Sequence, residues 1–171
     1  MIKQKIVGII LSLWLLTSCS SMINRQNVEL PLDKKYAIAS FWNYTETPMA
    51  GLRAASIVES VLAKNSLRLS SLVSGSEEME GIKSKGDFLK AKKAEAKQLD
   101  AEYLIIGNVQ EWRYKTGIDG EPVVSFSLLV IDLKTDKVVF NAVGAKSAWG
   151  HKSIGVVAQE IAQELIPKFV N

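Results

Sequence analysis

Alternating apolar residues in the second half of the chain predict a group of neighbouring strands. Between Val123 and Leu133 the apolar residues at 124, 126, 128 and 130 alternate with Ser125, Ser127 and Leu129, as in a strand. Similar stretches flank it on both sides, and short segments of turn composition join the three. The predicted strands cover residues 103–115, 123–133 and 138–148, with turns at 116–122 and 134–137. This pattern predicts an antiparallel meander.

A period of three to four residues between apolar positions predicts three helices. In the first, Thr47 is the expected N-cap and Pro48 the first helical residue, and the helix ends near Asn65. The second spans Asp87–Leu99 and has a thin apolar face. Ser153 caps the third. The apolar face of this last helix is predicted to carry Ile154, Val157, Ile161, Leu165 and Phe169, and its polar face Gln159, Glu160, Gln163 and Glu164.

The remaining segments complete an alternating order of strands and helices. Residues 36–41 form a short buried strand, residues 67–73 could hold another, and residues 74–86 have the composition of an exposed loop. Ser20 to Asp33 is polar and irregular. The order β-α-(β)-α-β-β-β-α predicts an α/β (α+β) fold. About three helices pack on its mixed sheet, either all on one face or split two and one.

The first 18 residues have the parts of a secretory signal peptide. Lys3 and Lys5 precede the apolar run Ile6–Leu16, and small residues follow it. The run is too short for a membrane-spanning helix, which needs about 20 residues. We therefore expect it to be removed.

The cysteine indicates which kind of signal this is. Leu16-Thr17-Ser18-Cys19 resembles the bacterial lipobox, so we expect cleavage before Cys19 and acylation of that residue. The alternative is a cysteine buried in an uncleaved helix. Several acyl chains on one residue give a durable anchor. Ser20, where an aspartate would resemble an inner-membrane retention signal, favours the outer membrane.

The predicted organisation is therefore a signal peptide (1–18), a lipid-anchored tether (19–34) and a single periplasmic domain (35–171). Loss of the signal removes two of the 21 basic residues and none of the 18 acidic ones, so the mature chain is nearly neutral. It has no basic block or basic-aromatic stripe, and we do not expect a nucleic-acid partner.

Residues suited to catalysis are scarce. The chain has one histidine, His151, and one cysteine, Cys19, so nucleophilic Cys/His pairs and His/Cys metal sites are excluded. Its acidic clusters, Glu77, Glu78 and Glu80 in one loop and Asp119 and Glu121 in a turn, are expected in solvent, where their carboxylates keep ordinary pKa values. We expect no enzyme, no metal and no cofactor.

Two aromatic features have a structural and a functional interpretation. Trp112, Arg113 and Tyr114 suit either an ordinary edge strand or a contact between subunits, where these residue types are enriched. Trp149 lies where the last strand meets the last helix. It either covers the edge of the core or is exposed and meets a partner or the lipid interface.

Four stretches together resemble the PelC family, the outer-membrane lipoproteins of Pel exopolysaccharide export. They are residues Asn43–Ala54, Ala101–Gly107, Glu111–Lys115 and Gly117–Pro122. The resemblance implies a non-enzymatic, lipid-anchored, homo-oligomeric ring on the periplasmic side of the outer membrane. It also implies a porin partner and a cationic polysaccharide in transit, guided by an acidic lumen for which Glu77, Glu78, Glu80, Asp119 and Glu121 are candidates.

The resemblance also assigns roles to the aromatic features. It places Trp149 on the membrane-facing side and Arg113 at a subunit contact. The PelC family is similar in fold to the curli-pore lipoprotein and to a lipoprotein activator of a penicillin-binding protein. These supply the alternatives of a secretion pore subunit and a peptidoglycan-synthase activator, and a polysaccharide-trimming hydrolase is the alternative from another class. The first two lose ground, because the chain has no spare strands for a pore and its tether is short.

Overall fold

A computed structural model describes residues 21–73, 84–116, 120–149 and 151–170. These residues form nine strands and three α-helices, with one 3-10 turn at Ala63–Asn65. The strands are β1 (Ser21–Arg25), β2 (Glu29–Pro31), β3 (Lys35–Ala39), β4 (Trp42–Asn43), β5 (Arg68–Leu72), β6 (Tyr103–Tyr114), β7 (Pro122–Asp132), β8 (Lys137–Ser147) and β9 (Lys168–Val170). The helices are α1 (Ala50–Leu62), α2 (Lys85–Gln98) and α3 (Ile154–Leu165).

The main sheet is mixed and has seven strands in the order β1-β8-β7-β6-β3-β5, with β4 beside β6. β6, β7 and β8 are antiparallel neighbours, whereas β3 runs parallel to both β5 and β6. β2 and β9 form a separate parallel pair. The structure thus confirms the predicted mixed sheet, the antiparallel meander and the short strand within residues 67–73.

The helices are split two and one between the faces of the sheet. α1 and α3 cover the front face, where Ile38, Ile105 and Phe126 belong to one apolar cluster. α2 covers part of the back face, where Ala37 and Leu104 belong to a second cluster. Neighbouring residues of one strand enter different clusters because successive side chains in a strand point to opposite faces. Each large side chain that is fully buried in this way contributes roughly 1.5–3 kcal/mol.

The start of α1 differs from the prediction. The helix begins at Ala50, and its N-cap is Met49, in a left-handed conformation with φ of 60° and no side-chain cap. Asn43 Nδ2 instead donates a hydrogen bond to the carbonyl of Thr47 at 2.8 Å, and Thr47 Oγ1 donates to the carbonyl of Trp112 at 2.6 Å. The expected cap is therefore wrong, because the hydroxyl of Thr47 joins this turn to β6.

The segment predicted to be irregular, residues 20–33, contains two strands. β1 pairs antiparallel with β8 over all its five residues, and β2 pairs with β9. The prediction of an irregular segment is wrong for both strands. An edge strand exposed to solvent has few buried positions, and in β1 only Ile23 is partly buried. Such a strand has no apolar alternation to reveal it.

The predicted place of Phe169, on the apolar face of the last helix, is also wrong. α3 ends at Leu165, and Ile166 is extended, with φ of −62° and ψ of 132°. Pro167 follows, and a residue before proline avoids the helical region because of a clash with the proline ring. Phe169 therefore lies in β9, where its ring meets the Tyr36 ring edge-on at 5.6 Å.

Candidate functional site

Most of the predicted contact residues lie at one end of the main sheet, which we call the anchor end. Here β6 ends at Tyr114, β7 begins at Pro122 and β8 ends at Ser147. Ser21 of β1 pairs with Lys146 at the same end. Ser21 is two residues after Cys19, so β1 brings the chain that leads to the predicted lipidation site to this end of the sheet.

Trp149 follows β8 at the anchor end and is 49% exposed. The turn that carries it is fixed on both sides. The N–H of buried Ala148 donates to the carbonyl of Pro122 at 3.1 Å, and the N–H of Lys152 donates to the carbonyl of Trp149 at 3.0 Å. The backbone is thus fixed while about half of the side chain faces solvent, where a partner or a lipid surface can reach it.

An ion-pair cluster links this turn to the sheet. Glu160 of α3 lies 2.8 Å from Lys146 Nζ of β8 through Oε2, and 2.7 Å from Lys152 Nζ through Oε1. The ammonium of Lys146, with help from that of Lys152, lowers the pKa of Glu160 below its ordinary value. The sequence pattern places Glu160 on the solvent side of the helix. The cluster joins residues that are distant in sequence. Its one sign in the sequence is that Glu160 adjoins Ile161, at the margin of the apolar stripe.

Tyr114 meets the start of α3 from the end of β6. Its hydroxyl accepts a hydrogen bond from the N–H of Ile154 at 3.4 Å, and the Ser153 side chain accepts one from Val156 N, as its predicted capping role requires. The tyrosine side chain is half exposed. It therefore helps to fix the first turn of α3 while one side of it remains accessible.

An open groove of about 730 Å³ lies on the front face at the anchor end. It separates the first turns of α1 and α3 above the end of β6. We call it the front groove; its walls include Arg53, Ile57, Trp112, Tyr114 and Ile154. Its lining is mainly apolar, and the charge of Arg53 lies on an exposed side chain.

The expected subunit contact through the ring of Trp112 needs correction. Trp112 is 3% exposed and belongs to the front core cluster, so its ring has almost no area for a neighbour. The cause is a bulge in β6 between Val109 and Glu111. One extra residue reverses which side chains point inward, so Trp112 enters the core and Arg113 turns to the back face.

Arg113 is exposed and pairs with Glu111 at 3.1 Å. Among the predicted acidic residues, Glu121 pairs with Lys115 at 2.8 Å. Cys19, Glu77, Glu78, Glu80 and Asp119 lie outside the described residues.

The described ranges contain no group of three or more His, Cys, Asp or Glu side chains arranged to hold a metal ion. Within the same ranges, no helix is both long and apolar enough to cross a bilayer.

Several solved structures of bacterial proteins resemble this chain. A PelC dodecamer from Paraburkholderia phytofirmans is 30% identical to this chain in sequence. The matched region covers 85% of this chain and 94% of the PelC chain, and the two superpose with a TM-score of 0.71. A point variant of that dodecamer is also 30% identical, covers 85% and 95%, and gives 0.67. The lipoprotein GNA1162 from Neisseria meningitidis, at 12% identity, covers 75% and 94% with a TM-score of 0.56 and shares the fold. No protein-family model and no curated protein sequence matches the chain.

Proposed function

The chain belongs to the PelC family, and we propose that it is a lipid-anchored, non-enzymatic ring subunit that guides exopolysaccharide to an outer-membrane porin. The observation that carries the proposal is the 30% identity to a PelC dodecamer over 85% of the chain. The geometry of the anchor end supports it, because strand β1 and the turn of Trp149 meet there.

The anchor and the exposed tryptophan leave the sheet in the same direction. β1 and β8 are antiparallel, so the chain running back from Ser21 towards Cys19 continues past the sheet on the side where β8 continues to Trp149. Two residues span at most about 7 Å, so acyl chains on Cys19 would hold the anchor end against the leaflet. Tryptophan is favoured at this depth, because its ring is apolar and its N–H remains hydrated.

Self-assembly follows from family membership. The related Paraburkholderia protein forms a dodecamer, and we propose that this chain also closes into a ring of identical copies. A ring with one anchor on every copy lies flat on the membrane and leaves a central opening along the membrane normal. Such an opening suits the periplasmic mouth of a porin.

Guidance of the polymer would be electrostatic. The two predicted acidic segments leave the described part of the sheet at the anchor end, after Val73 and after Thr116. Negative charge around an opening raises the local concentration of a cationic polysaccharide without a catalytic group. The candidates are Glu77, Glu78, Glu80, Asp119 and Glu121; of these Glu121 lies in the described part of the chain, where its ion pair with Lys115 offsets its charge.

Complementation of a strain that lacks the gene tests the proposal. The full chain should restore secreted polymer, and Cys19→Ser should restore little, because the domain would leave the membrane. Polymer secretion unaffected by loss of the gene would contradict the export role. Cleavage of amino-sugar oligomers by the purified protein would instead favour the hydrolase alternative.

A further inference from the structure

Among the described helices, none packs on the back face of β8 and β1. α2 packs on β3, β5 and β6 and reaches β7 at Ile131, close to the end of the sheet opposite the anchor end. The back-facing side chains of β1 and β8 near the anchor end lie beyond it. Their orientation follows from Gly144, because a Cβ there would meet Ile161 of α3, so Gly144 and its partner Ile23 face the front. Their neighbours along each strand therefore face the back.

These side chains form an accessible surface, which we call the back patch. It consists of Met22, Asn24, Ser125, Asn141, Val143 and Ala145. Met22 is 73% exposed and Val143 is 41% exposed, although both are apolar. None of the six is charged, whereas 23% of the whole chain is; the Glu111–Arg113 ion pair borders the patch, because Glu111 lies opposite Ser125. Depletion of charge on an exposed surface distinguishes the centre of an interface from ordinary protein surface.

We propose that the back patch packs into the front groove of a second copy of this chain, and that this contact builds the ring. The proposal rests on the ring assembly of the proposed function. In a closed ring each copy uses two different surfaces, because the contact runs head to tail. The back patch and the front groove supply such a pair, one an exposed sheet face and one concave, and both are mainly uncharged.

The two surfaces lie on opposite faces of the subunit, as a ring of many copies requires. The back patch is on the face opposite α1 and α3, while the front groove opens between those helices. When the back of one copy contacts the front of the next, each copy is rotated by only a small angle relative to its neighbour. Many copies can then close without distortion.

The two surfaces also lie at about the same distance from the membrane. A ring whose anchors all reach one leaflet has its axis along the membrane normal, and rotation about that axis keeps every residue at its height. Trp112, in the floor of the groove, shares a row across the sheet with Val124 and Lys146. Met22 and Ala145 lie one residue further from the anchor end, a step of about 3.3 Å.

A photo-cross-linking amino acid tests the contact in the full-length protein at its own membrane. Position 143 is replaced by p-benzoylphenylalanine, and the cross-linked peptides are identified by mass spectrometry. We expect cross-links to a second copy, at residues 53–57, 114 or 154. Position 170 is the matched control, because Val170 is 39% exposed and also lies in a strand, and it should give no such product. Cross-links from position 143 to a lipid, to another protein or to another part of the chain would overturn the proposal.

The mass of the detergent-extracted particle separates this proposal from the proposed function. Val143→Glu places a charge in the contact, and the particle should fall from ring mass to single-subunit mass, whereas Val170→Glu should keep ring mass. A ring that survives Val143→Glu refutes the back patch and leaves the ring function standing. Wild-type protein that is itself a single subunit in membranes and in detergent refutes the ring.

Discussion

The two ends of the main sheet are closed by different chemistry. At the end opposite the anchor end, polar groups close the surface: Glu102 pairs with Lys34 at 3.2 Å, and Lys93 pairs with Asp136 at 2.6 Å. Asp132 there accepts hydrogen bonds from the N–H groups of the next turn, which lowers the pKa of its carboxyl. The anchor end has ion pairs as well, at Lys115–Glu121 and around Glu160, but it also leaves the aromatic side chains of Tyr114 and Trp149 about half exposed.

The end opposite the anchor end is therefore suited to solvent, whereas the anchor end is suited to contact with a partner or a membrane. Ion pairs and turn hydrogen bonds are stable in solvent and need no partner. A half-exposed Trp149 leaves apolar area in water, which costs stability unless the assembled state covers it. We therefore predict that changes at the anchor end alter assembly and membrane contact, while changes at the other end do not.

The largest effect on stability is expected from Gly144→Ala. A Cβ at Gly144 would lie 2.6 Å from Ile161 Cγ2 and 2.9 Å from Ile23 Cδ1, so the end of the Ile23 side chain must rotate and α3 must shift away from β8. We expect the free energy of unfolding to fall by about 1–3 kcal/mol. Urea denaturation measures the change. Gly86→Ala is the control, because its new Cβ meets nothing nearer than 3.7 Å, and equal losses in the two variants would contradict the predicted clash.

A smaller loss is expected from Glu160→Gln. This variant removes the charge that holds Lys146 and Lys152 together, and we expect a loss of about 1 kcal/mol at neutral pH, since the Glu160 side chain is only 28% exposed. The pKa of Glu160 is lowered in the folded state, so its contribution is present above pH 4.5 and disappears as the pH falls through the lowered value. The stability difference from wild type should therefore shrink on acidification.

The same variant tests the connection between the cluster and the tryptophan. Loss of the Lys152 contact should loosen the turn and change the Trp149 emission, whereas Glu102→Gln at the other end should leave the emission as it is. Equal spectra in all three proteins would show that the cluster does not fix this turn.

Trp149→Ala should change function more than stability. Its side chain is half exposed, so we expect the free energy of unfolding to fall by only about 1 kcal/mol. Secreted polymer and membrane retention should both fall, because the variant loses the contact between the indole of Trp149 and the leaflet. Leu99→Ala, another exposed apolar residue but at the opposite end of the sheet, serves as the control. Export at the wild-type level by Trp149→Ala would show that Trp149 is not part of the functional site.

The smallest effect is expected from Glu121→Gln. Its ion pair with Lys115 is on the surface, where such pairs contribute about 0–1 kcal/mol, and its charge is already offset. Secreted polymer should change little. The combined variant Glu77→Gln, Glu78→Gln and Glu80→Gln should reduce export more, and the reverse order would assign guidance to the β6–β7 turn.

Sequence patterns predict those parts of the fold that repeat a strong period. The meander has long strands, with apolar residues at every second position of β7, and α3 has an apolar stripe with a serine cap, so periodicity is sufficient for both. It fails where a single feature overrides the pattern. The bulge in β6 reverses Trp112 and Arg113, Pro167 ends α3 before Phe169, and the Asn43 side chain displaces the start of α1.

The candidate site is only partly predictable for a different reason. Trp149 stands out in the sequence because a large aromatic between small residues is uncommon in a turn. The Glu160 cluster is built by the packing of α3 on β8, and the back patch by the pairing of β1 with β8, which joins residues more than a hundred positions apart. Because β1 has one partly buried residue, no local pattern marks it, and the surface it completes is hidden in the sequence.

The intact mass of the protein extracted from its own membranes is the decisive measurement for the lipid anchor. We predict a chain that begins at Cys19 and carries a diacylglycerol and a further acyl chain on that residue. A product that retains residues 1–18 with a free thiol at Cys19 would contradict the anchor, the orientation of the sheet and the place of the ring together.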